Sequence, residues 1–421
     1  MPFNRQLHPG QIARILLPAL FPLLLTGCFV KAARQDRQSL SVFVSSWNSP
    51  EELAKSASVV RDVRADEPCL WLVYGNVLAD RTWTGLSEGT AQVALLNAAG
   101  VDAVILGPEW LELEQKHLRR LIADSRFYVL GANIADSLGE TTGYPFMLKK
   151  FPGAAIGLCG VWLDSTDVRF RLADIDCITP DFSVRKLLPL MRPAADVVGV
   201  GVRPGAEVPR WNADFVVGAQ REDMITVNPP TQGLVRVSFT VQDGAILQYA
   251  AAKPDMETVE PDSLARAAID SIQAALDTAG SVVIAELSHA QPPSVLTRDA
   301  AKEALGSGID GFILDSPFTE DSLEQGPVTR EMLIARLSSP GRPALMNVSG
   351  SELRPLLGNA AVSVEWRTGL NRQKLALDRQ YRMAMTLDFL SRHPDLAAKH
   401  RYELADEPLW RVAARALKET E

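Results

Sequence analysis

The chain has 421 residues, 47% hydrophobic and 22% charged, a composition typical of globular proteins that bury a core. A formal net charge of −8 leaves no basic excess to neutralise a phosphate backbone, which argues against nucleic acid as a partner. The four cysteines, at positions 28, 69, 159 and 177, form no C-x-x-C pair, so the sequence contains neither a zinc ribbon nor a thioredoxin-type redox motif.

The first 28 residues have the pattern of a targeting segment. Two arginines and no acidic residue accompany the apolar run Ile15–Leu25, which has the length of a signal-peptide core and is too short to span a bilayer. The run leads into Leu25-Thr26-Gly27-Cys28, which resembles the lipobox of bacterial lipoproteins. That resemblance implies a lipoprotein signal peptide over residues 1–27 and acylation of Cys28. The alternative is an ordinary cleaved signal peptide with a coincidental cysteine.

The predicted lipid anchor determines the expected location. Phe29, rather than Asp, follows the cysteine, which by resemblance to bacterial sorting rules indicates the outer membrane, with the protein facing the periplasm. Removal of residues 1–27 gives a net charge of −10, so the acyl chains rather than charge would hold the protein at a membrane. We predict residues 28–38, which are mostly polar, to be a tether.

After the tether, strands and helices alternate as in an α/β domain, predicted over residues 39–258. The predicted elements are, in chain order, strand 40–45, helix 51–65, strand 69–74, helix 89–99, and strands 103–106, 128–132, 155–161, 197–202 and 215–218. Several of these strands are unbroken apolar runs, which indicates that both faces are covered. The stretch 224–249 alternates instead, with a turn at Asp243-Gly244, and predicts an antiparallel hairpin that closes the domain.

One amphipathic helix, predicted over 261–279 with Gly280 as its stop, separates this domain from the rest of the chain. We predict residues 259–280 to be a linker helix and 281–421 to be a second, smaller α/β domain. The sequence has no internal repeat and no low-complexity segment.

Several segments resemble one family. Leu95–Gly107 is similar to the segment leading into the G-N-H-E motif of the 5′-nucleotidases, within the calcineurin-like metallophosphoesterases. Further landmarks occur in the family's order at Phe127–Ile134, Gly143–Phe146, Ile156–Gly160, Gly326–Thr329, Val348–Leu353 and Tyr381–Thr386. The resemblance covers roughly residues 40–395. It implies an α/β fold with a layered, metallophosphoesterase-like N-terminal domain, a linker helix and a smaller α/β domain like the 5′-nucleotidase C-terminal domain.

The metal-binding motifs that this family requires are degenerate here. The family holds two divalent metals with Asp, His and Asn side chains, so that a bridging water is ionised. This chain has S-W-N in place of D-x-H, G-N in place of G-D, G-P-E-W in place of G-N-H-E, an arginine at the later histidine, and A-Q-R-E in place of G-H-x-H. The vestigial metal-site positions are therefore Ser46, Asn48, Asn76, Pro108, Glu109, Arg203, Gln220 and Glu222.

These substitutions predict that no metal or other cofactor is bound. Only Glu109 and Glu222 keep a charge that attracts a cation, whereas Arg203 and Arg221 would repel one. A weak divalent cation at Glu109 and Glu222 is the alternative. The sole histidine between residues 37 and 255 is His117, which we expect to be a solvated helix residue.

The nucleotide pocket implied by the resemblance is also degenerate. The family's N-G-G-x-R-type turn corresponds to D-S-P-F-T over residues 315–319, so Asp315 and Phe318 are vestigial substrate-turn positions. The loop that would carry a base-stacking ring is missing, because Leu357–Ala361 leads directly into Val362–Trp366. We interpret Phe318 as a local core or turn residue, with stacking on a base as the alternative.

Two further patterns carry less weight. Ser288-His289 places a hydroxyl beside an imidazole, but adjacent residues of a strand point to opposite faces, which argues against a nucleophile and its base. Cys159 and Cys177 would be able to pair in an oxidising compartment, yet Cys159 lies in an apolar strand and is expected to be a small buried hydrophobic residue.

The degenerate cleft predicts a contact surface rather than a catalytic site. We expect it to be lined by Trp47, Trp110, Glu109, Arg203 and Arg221, since Trp and Arg are common interface anchors. The alternative is that the two tryptophans fill space inside the protein.

Three hypotheses of function follow. The favoured one is a catalytically inactive, membrane-anchored lipoprotein that acts as a binding or scaffolding protein in the periplasm. Its partners would be the lipid bilayer, through acylated Cys28, and an envelope protein. The alternatives are a phosphoester hydrolase with a rebuilt metal site and a lipoprotein that binds a nucleotide-like small molecule.

Overall fold

The structure is a computed structural model. It describes residues 37–419 except 137, 165–168, 171–174, 204–206, 222, 243, 307, 316–321, 338–341, 357–361, 367–374 and 406. The strands are β1 (Gln38–Ser46), β2 (Cys69–Tyr74), β3 (Ala103–Ile105), β4 (Tyr128–Leu130), β5 (Ile134–Asp136), β6 (Phe146–Lys150), β7 (Ala155–Trp162), β8 (Ile175–Cys177), β9 (Val197–Arg203), β10 (Phe215–Val217), β11 (Ile225–Val227), β12 (Leu234–Gln242), β13 (Ala245–Ala252), β14 (Val283–Leu287), β15 (Gly311–Asp315), β16 (Gly326–Thr329), β17 (Pro343–Ser349), β18 (Val362–Trp366), β19 (Gln380–Thr386) and β20 (Tyr402–Leu404).

The helices are α1 (Pro50–Asp66), α2 (Arg81–Ser87), α3 (Thr90–Ala99), α4 (Gln115–Asp124), α5 (Pro180–Met191), α6 (Ser263–Gly280), α7 (Pro293–Leu305), α8 (Arg330–Arg336), α9 (Gly350–Leu356), α10 (Leu387–Arg392), α11 (Pro394–Lys399) and α12 (Leu409–Glu419). Short 3₁₀ helices cover Pro108–Glu112 and Arg192–Ala194. The strands and helices predicted from the sequence are confirmed, each within two residues of its expected bounds.

Two sheets form the first half of the molecule. One has the order β13-β12-β1-β2-β3-β4 and the other β11-β10-β9-β7-β6. Strands β1 to β4 run parallel, as do β7, β9, β10 and β11. The predicted antiparallel hairpin is confirmed for β12 and β13, which pair at the edge of the first sheet. The start of the stretch predicted as hairpin, 224–249, is instead β11, which pairs parallel with β10 in the second sheet.

The core of this half lies in three layers. Leu40, Leu70, Phe215 and Phe239 are among the side chains that fill the space between the two sheets. Alternate residues of the same strands, such as Trp71, face the helices outside the first sheet. A third cluster lies between the second sheet and α5. The strands are therefore covered on both faces, which explains their unbroken apolar runs.

The predicted linker helix is present as α6. Its N-cap is Asp262, whose carboxylate accepts a hydrogen bond from the backbone N–H of Ala265 at 2.9 Å. Ala265, Ile269 and Leu276 are buried in the same core cluster as helices α1 and α3. The helix thus packs along the first half of the molecule as it leads to the second.

The second half contains a five-stranded mixed sheet with the order β18-β15-β19-β17-β20 and a two-stranded sheet of β14 and β16. Helix α12 packs on α7 and β14, where Leu409, Val412 and Leu417 are buried with Leu296. Its amphipathic pattern explains this placement, since one face is apolar and the other is charged.

The two halves meet at α2 and at the turn that follows it. A side chain at Gly85 would lie 2.7 Å from Ile334 of α8, so a glycine is needed for this close approach. Glu88 adopts a left-handed backbone with a φ of 54°, unusual for a residue with a side chain. Its carboxylate pairs with Arg411 of α12, and its carbonyl contacts His117. These contacts hold the strained turn and join the two halves.

Helix α9 begins with a capping box. The carboxylate of Glu352 accepts hydrogen bonds from the backbone N–H of Ser349 at 3.1 Å and from its hydroxyl at 2.6 Å. His400 lies 2.9 Å from the other carboxylate oxygen. The Ser349 hydroxyl, more than His400, lowers the pKa of Glu352 to about 2.

We expect Glu352→Gln to lower the free energy of unfolding by about 1 kcal/mol at pH 7, a value reduced for partial exposure of the side chain. The folded-state pKa is below the unfolded value of 4.5, so the carboxylate stabilises the protein above pH 4.5 and loses this effect as the pH falls toward 2. Urea unfolding of both proteins across this range measures the difference. Glu403→Gln, at a side chain 77% exposed, is the control, and an equal loss there would contradict the prediction.

Within the described residues, no helix is both long and apolar enough to cross a bilayer.

Cys69, Cys159 and Cys177 are all free thiols. Burial raises the pKa of Cys159 and of Cys177 to about 12. Cys159 is fully buried, which confirms the prediction of a small core residue, and the alternative of a disulfide with Cys177 is not observed.

Candidate functional site

The carboxyl ends of the parallel strands of both sheets meet at one edge of the molecule. Arg203 ends β9 in the second sheet, and its side chain reaches residues that follow β2 and β3 in the first sheet. The hydroxyl of Tyr74, at the end of β2, donates to the Val202 carbonyl at 2.8 Å. The vestigial positions on these strands therefore come together, as the resemblance implied.

The guanidinium of Arg203 lies at the centre of this edge and is almost fully buried, with the side chain 5% exposed. It donates to the Asn76 side-chain oxygen, to the Glu109 carboxylate at 3.3 Å and to the Ile105 carbonyl at 3.3 Å. The rings of Tyr74 and Trp162 lie 5.7 and 5.3 Å from its central carbon. Carboxylate, amide, carbonyl and aromatic groups thus surround the positive charge.

The carboxylate of Glu109 is positioned by the 3₁₀ helix that starts at Pro108. Its side chain is 10% exposed, and the oxygen that does not bond Arg203 is buried without a hydrogen-bond donor among the described residues. A Cβ at Gly107 would clash with both Glu109 and Arg203, so a glycine is needed where the two charges approach the backbone. Arg203 is therefore the charge partner on which Glu109 depends.

Two other vestigial positions, Ser46 and Asn48, form hydrogen bonds to the loop at 228–231. Ser46 donates its hydroxyl proton to the Pro230 carbonyl at 2.5 Å, and the Asn48 amide donates to the Thr231 carbonyl at 2.7 Å. Side chains at the expected D-x-H positions are thus used for internal hydrogen bonds. They fix the segment 228–231 over the end of β1.

The last motif, after β10, is only partly described. Gln220 is exposed and its backbone bridges to Glu207, while Glu222 lies outside the described residues. The guanidinium of Arg221 donates to the Val208 carbonyl at 2.6 Å and pairs with Asp223. Pro108 is buried and offers no side-chain donor atom.

An open cleft of about 850 Å³ lies at this edge. Its lining residues are Ser46, Tyr74, Glu207, Gly218, Gln220, Asn228, Pro229, Pro230 and Thr231. Burial raises the pKa of the Tyr74 phenol, an effect that Arg203 partly offsets, so the phenol is neutral and able to donate at neutral pH. Sequence reasoning missed most of this lining. The Pro229-Pro230 dipeptide was the one available signal of a fixed loop.

Some predicted surface residues are instead part of the core. Trp110 is fully buried, so the alternative in which it fills internal space is confirmed, and Trp47 is half-buried against the same cluster. Arg203 is buried as well and is not the exposed anchor that we expected. His117 lies on a helix as predicted but is not fully solvated. Its side chain is 20% exposed and its Nε2 lies 2.8 Å from the Glu88 carbonyl, and desolvation lowers its pKa.

The vestigial substrate turn cannot be placed at the site. Asp315 ends β15, but its side chain lies outside the described part of the structure, as do Phe318 and residues 357–361. Ser288 and His289 lie in a bend after β14 rather than in a strand, and the Ser288 hydroxyl is 3.0 Å from His289 Nδ1. The two side chains therefore do not face opposite ways, and that prediction is wrong. Both are exposed, and no acidic partner orients the imidazole among the described residues.

No model of a known protein family and no curated protein matches the sequence. Solved structures do match. A protein assigned as a 5′-nucleotidase from Staphylococcus aureus, solved with alpha-ketoglutarate, has 13% identity over 90% of this chain and 96% of its own, with a TM-score of 0.63. The 5′-nucleotidase precursor of Thermus thermophilus has 15% identity, coverage of 91% and 96%, and a TM-score of 0.59. The NAD nucleotidase of Haemophilus influenzae has 11% identity over 92% of this chain and 97% of its own, with a TM-score of 0.53.

The chain has the two-domain 5′-nucleotidase fold. The expected fold class is therefore confirmed over most of the chain. At identities of 11–15%, these similarities establish the fold alone. The chemistry depends on the residues of the site.

The residues at this site of the 5′-nucleotidase fold do not fit a divalent metal pair. A guanidinium occupies the space between Asn76 and Glu109, where it repels a cation and uses their oxygens as acceptors. Within the described ranges, no three His, Cys, Asp or Glu side chains are grouped so as to hold a metal ion. The buried carboxylate of Glu109 is already balanced by Arg203, so it has no excess charge to offer.

Proposed function

We propose that this protein is a non-hydrolytic member of the 5′-nucleotidase fold that serves as a binding or scaffolding protein at the bacterial outer membrane. The observation that carries the proposal is the buried guanidinium of Arg203, hydrogen-bonded to Asn76 and Glu109. In this proposal the protein faces the periplasm, is anchored through acylated Cys28 and acts through a protein partner of the envelope.

The proposal rests on charge and hydrogen bonding at the site. Metal-assisted hydrolysis of a phosphoester needs ionised water and cationic groups that neutralise the phosphoryl oxygens. Arg203 cannot take the second role, because its donors are used inside the protein and its side chain is 5% exposed. Ser46 and Asn48 are likewise engaged with the loop at 230–231. These side chains are therefore used for contacts within the protein, which supports a site without turnover.

The test is hydrolysis by the purified mature protein. We expect no release of phosphate from nucleoside monophosphates or from a chromogenic phosphodiester, and no stimulation by manganese or zinc. A metal-dependent 5′-nucleotidase assayed in parallel is the positive control. We also expect the unfolding temperature to be unchanged by a strong chelator and metal analysis to find no bound transition metal.

Other outcomes would select the alternatives. Metal-stimulated turnover that is lost in Glu109→Gln would refute the proposal and support a rebuilt metal site. Tight binding of a nucleoside monophosphate without turnover would instead favour a nucleotide-binding lipoprotein.

A further inference from the structure

The cleft at the strand ends has an apolar floor and a polar rim. Tyr74, Gly218, Pro229 and Pro230 form the half-buried or buried floor. The rim consists of exposed side chains, namely the carboxylate of Glu207, the amides of Gln220 and Asn228 and the hydroxyl of Thr231. Two carboxamides, a hydroxyl and a carboxylate provide both donors and acceptors around one apolar surface.

The described lining of this cleft carries no positive charge. Among the described residues that line it there is no lysine or arginine, and Glu207 is the one charged side chain. The nearby guanidinium of Arg203 is buried on Asn76 and Glu109, and that of Arg221 is held by Asp223 and the Val208 carbonyl. A phosphate or carboxylate ligand would therefore meet Glu207 without a cation to compensate.

We propose that the cleft binds a neutral carbohydrate chain, an inference that rests on the proposed non-hydrolytic function and names its ligand class. Sugar rings combine an apolar C–H face with a perimeter of hydroxyl groups. The face packs on Tyr74 and Pro229, and the hydroxyls bond to Gln220, Asn228 and Glu207. The volume of about 850 Å³ is within the range of small-ligand sites and accommodates more than one sugar residue.

The loop at 228–231 is already held in place for such a ligand. Ser46 and Asn48 fix its carbonyls at 2.5 and 2.7 Å, so the floor does not have to be ordered when a ligand binds. Tyr74 is likewise fixed by its hydrogen bond to the Val202 carbonyl. Binding would cost little conformational entropy at these residues.

The experiment titrates the full mature protein with three neutral probes, namely maltotriose, cellotriose and the N-acetylglucosamine trimer, using saturation-transfer NMR and calorimetry. We expect at least one trisaccharide to bind. Asn228→Ala and Gln220→Ala should each weaken that binding about fivefold, the loss of one hydrogen bond. Gln248→Ala, at an exposed amide of β13 away from the cleft, is the matched control and should bind as the unmodified protein does.

Phosphate and adenosine monophosphate serve as competitors, and we expect neither to displace the sugar. The inference is overturned if none of the three trisaccharides binds, if both cleft variants bind as the control does, or if either competitor displaces the sugar. These results are separate from the hydrolysis assay, because a protein that lacks turnover and also fails to bind sugar would leave the proposed function intact.

Discussion

Replacing Arg203 by methionine is expected to destabilise the protein by about 3–5 kcal/mol, the cost of removing one partner of a buried ion pair. Methionine fills similar volume but leaves the Glu109 carboxylate, 10% exposed, without a cation. The Asn76 side-chain oxygen and the Ile105 carbonyl also lose the hydrogen bonds that Arg203 donates to them. The ends of β2, β3 and β9 therefore lose a shared contact. Urea unfolding at pH 7 measures the effect.

Two further variants make this prediction specific. Arg221→Met removes a guanidinium from the same edge, but its pair with Asp223 is more exposed, so we expect a loss of about 0–1 kcal/mol. Adding Glu109→Gln to Arg203→Met should recover at least about 1 kcal/mol, since the uncompensated charge is removed. Equal losses in Arg203→Met and Arg221→Met would show that the buried guanidinium has no special role.

Replacing Cys28 by serine is expected to release the protein from membranes and to abolish incorporation of labelled palmitate. The hydroxyl of serine does not accept the lipid that the lipobox resemblance implies for the thiol, and the acidic mature chain has no other affinity for an anionic surface. Fractionation of cells that express each form, followed by detection of the label, tests both effects.

The control for this experiment is Cys177→Ser, which changes a half-buried cysteine within the folded part. We expect this variant to remain labelled and membrane-bound. Labelling that persists in Cys28→Ser would refute the lipoprotein assignment.

The sequence predicted the sheets well for a physical reason. Strands such as β2 and β7 are buried on both faces, so their apolar runs are distinct from the helical periodicity of α1 or α6. The carboxyl ends of parallel strands lie at a common edge, which is why Asn76, Glu109 and Arg203, from three degenerate motifs, contact one another. Both features follow from residue types and the order of strands and helices, which can be read from the sequence.

The contacts within the site were not predictable in the same way. Arg203 and Asn76 are 127 positions apart, and the Asn48 bond to Thr231 spans 183, so only the folded chain brings them together. Trp110 resembled an interface anchor by residue type, whereas its burial depends on the helix packing outside the first sheet. Residue type sets the possible chemistry, and tertiary packing decides which part of it is exposed.

The direction of β1 places the start of the folded part and the cleft at opposite ends of one strand. The tether enters at Gln38, and the cleft lies at the opposite end of the strand, beside Ser46. Nine residues of extended strand span about 30 Å, and the ten residues 28–37 extend at most about 35 Å. With Cys28 anchored in the periplasmic leaflet, as proposed, the tether and β1 together would let the cleft lie up to about 65 Å from the bilayer, within reach of polymers in the cell wall space.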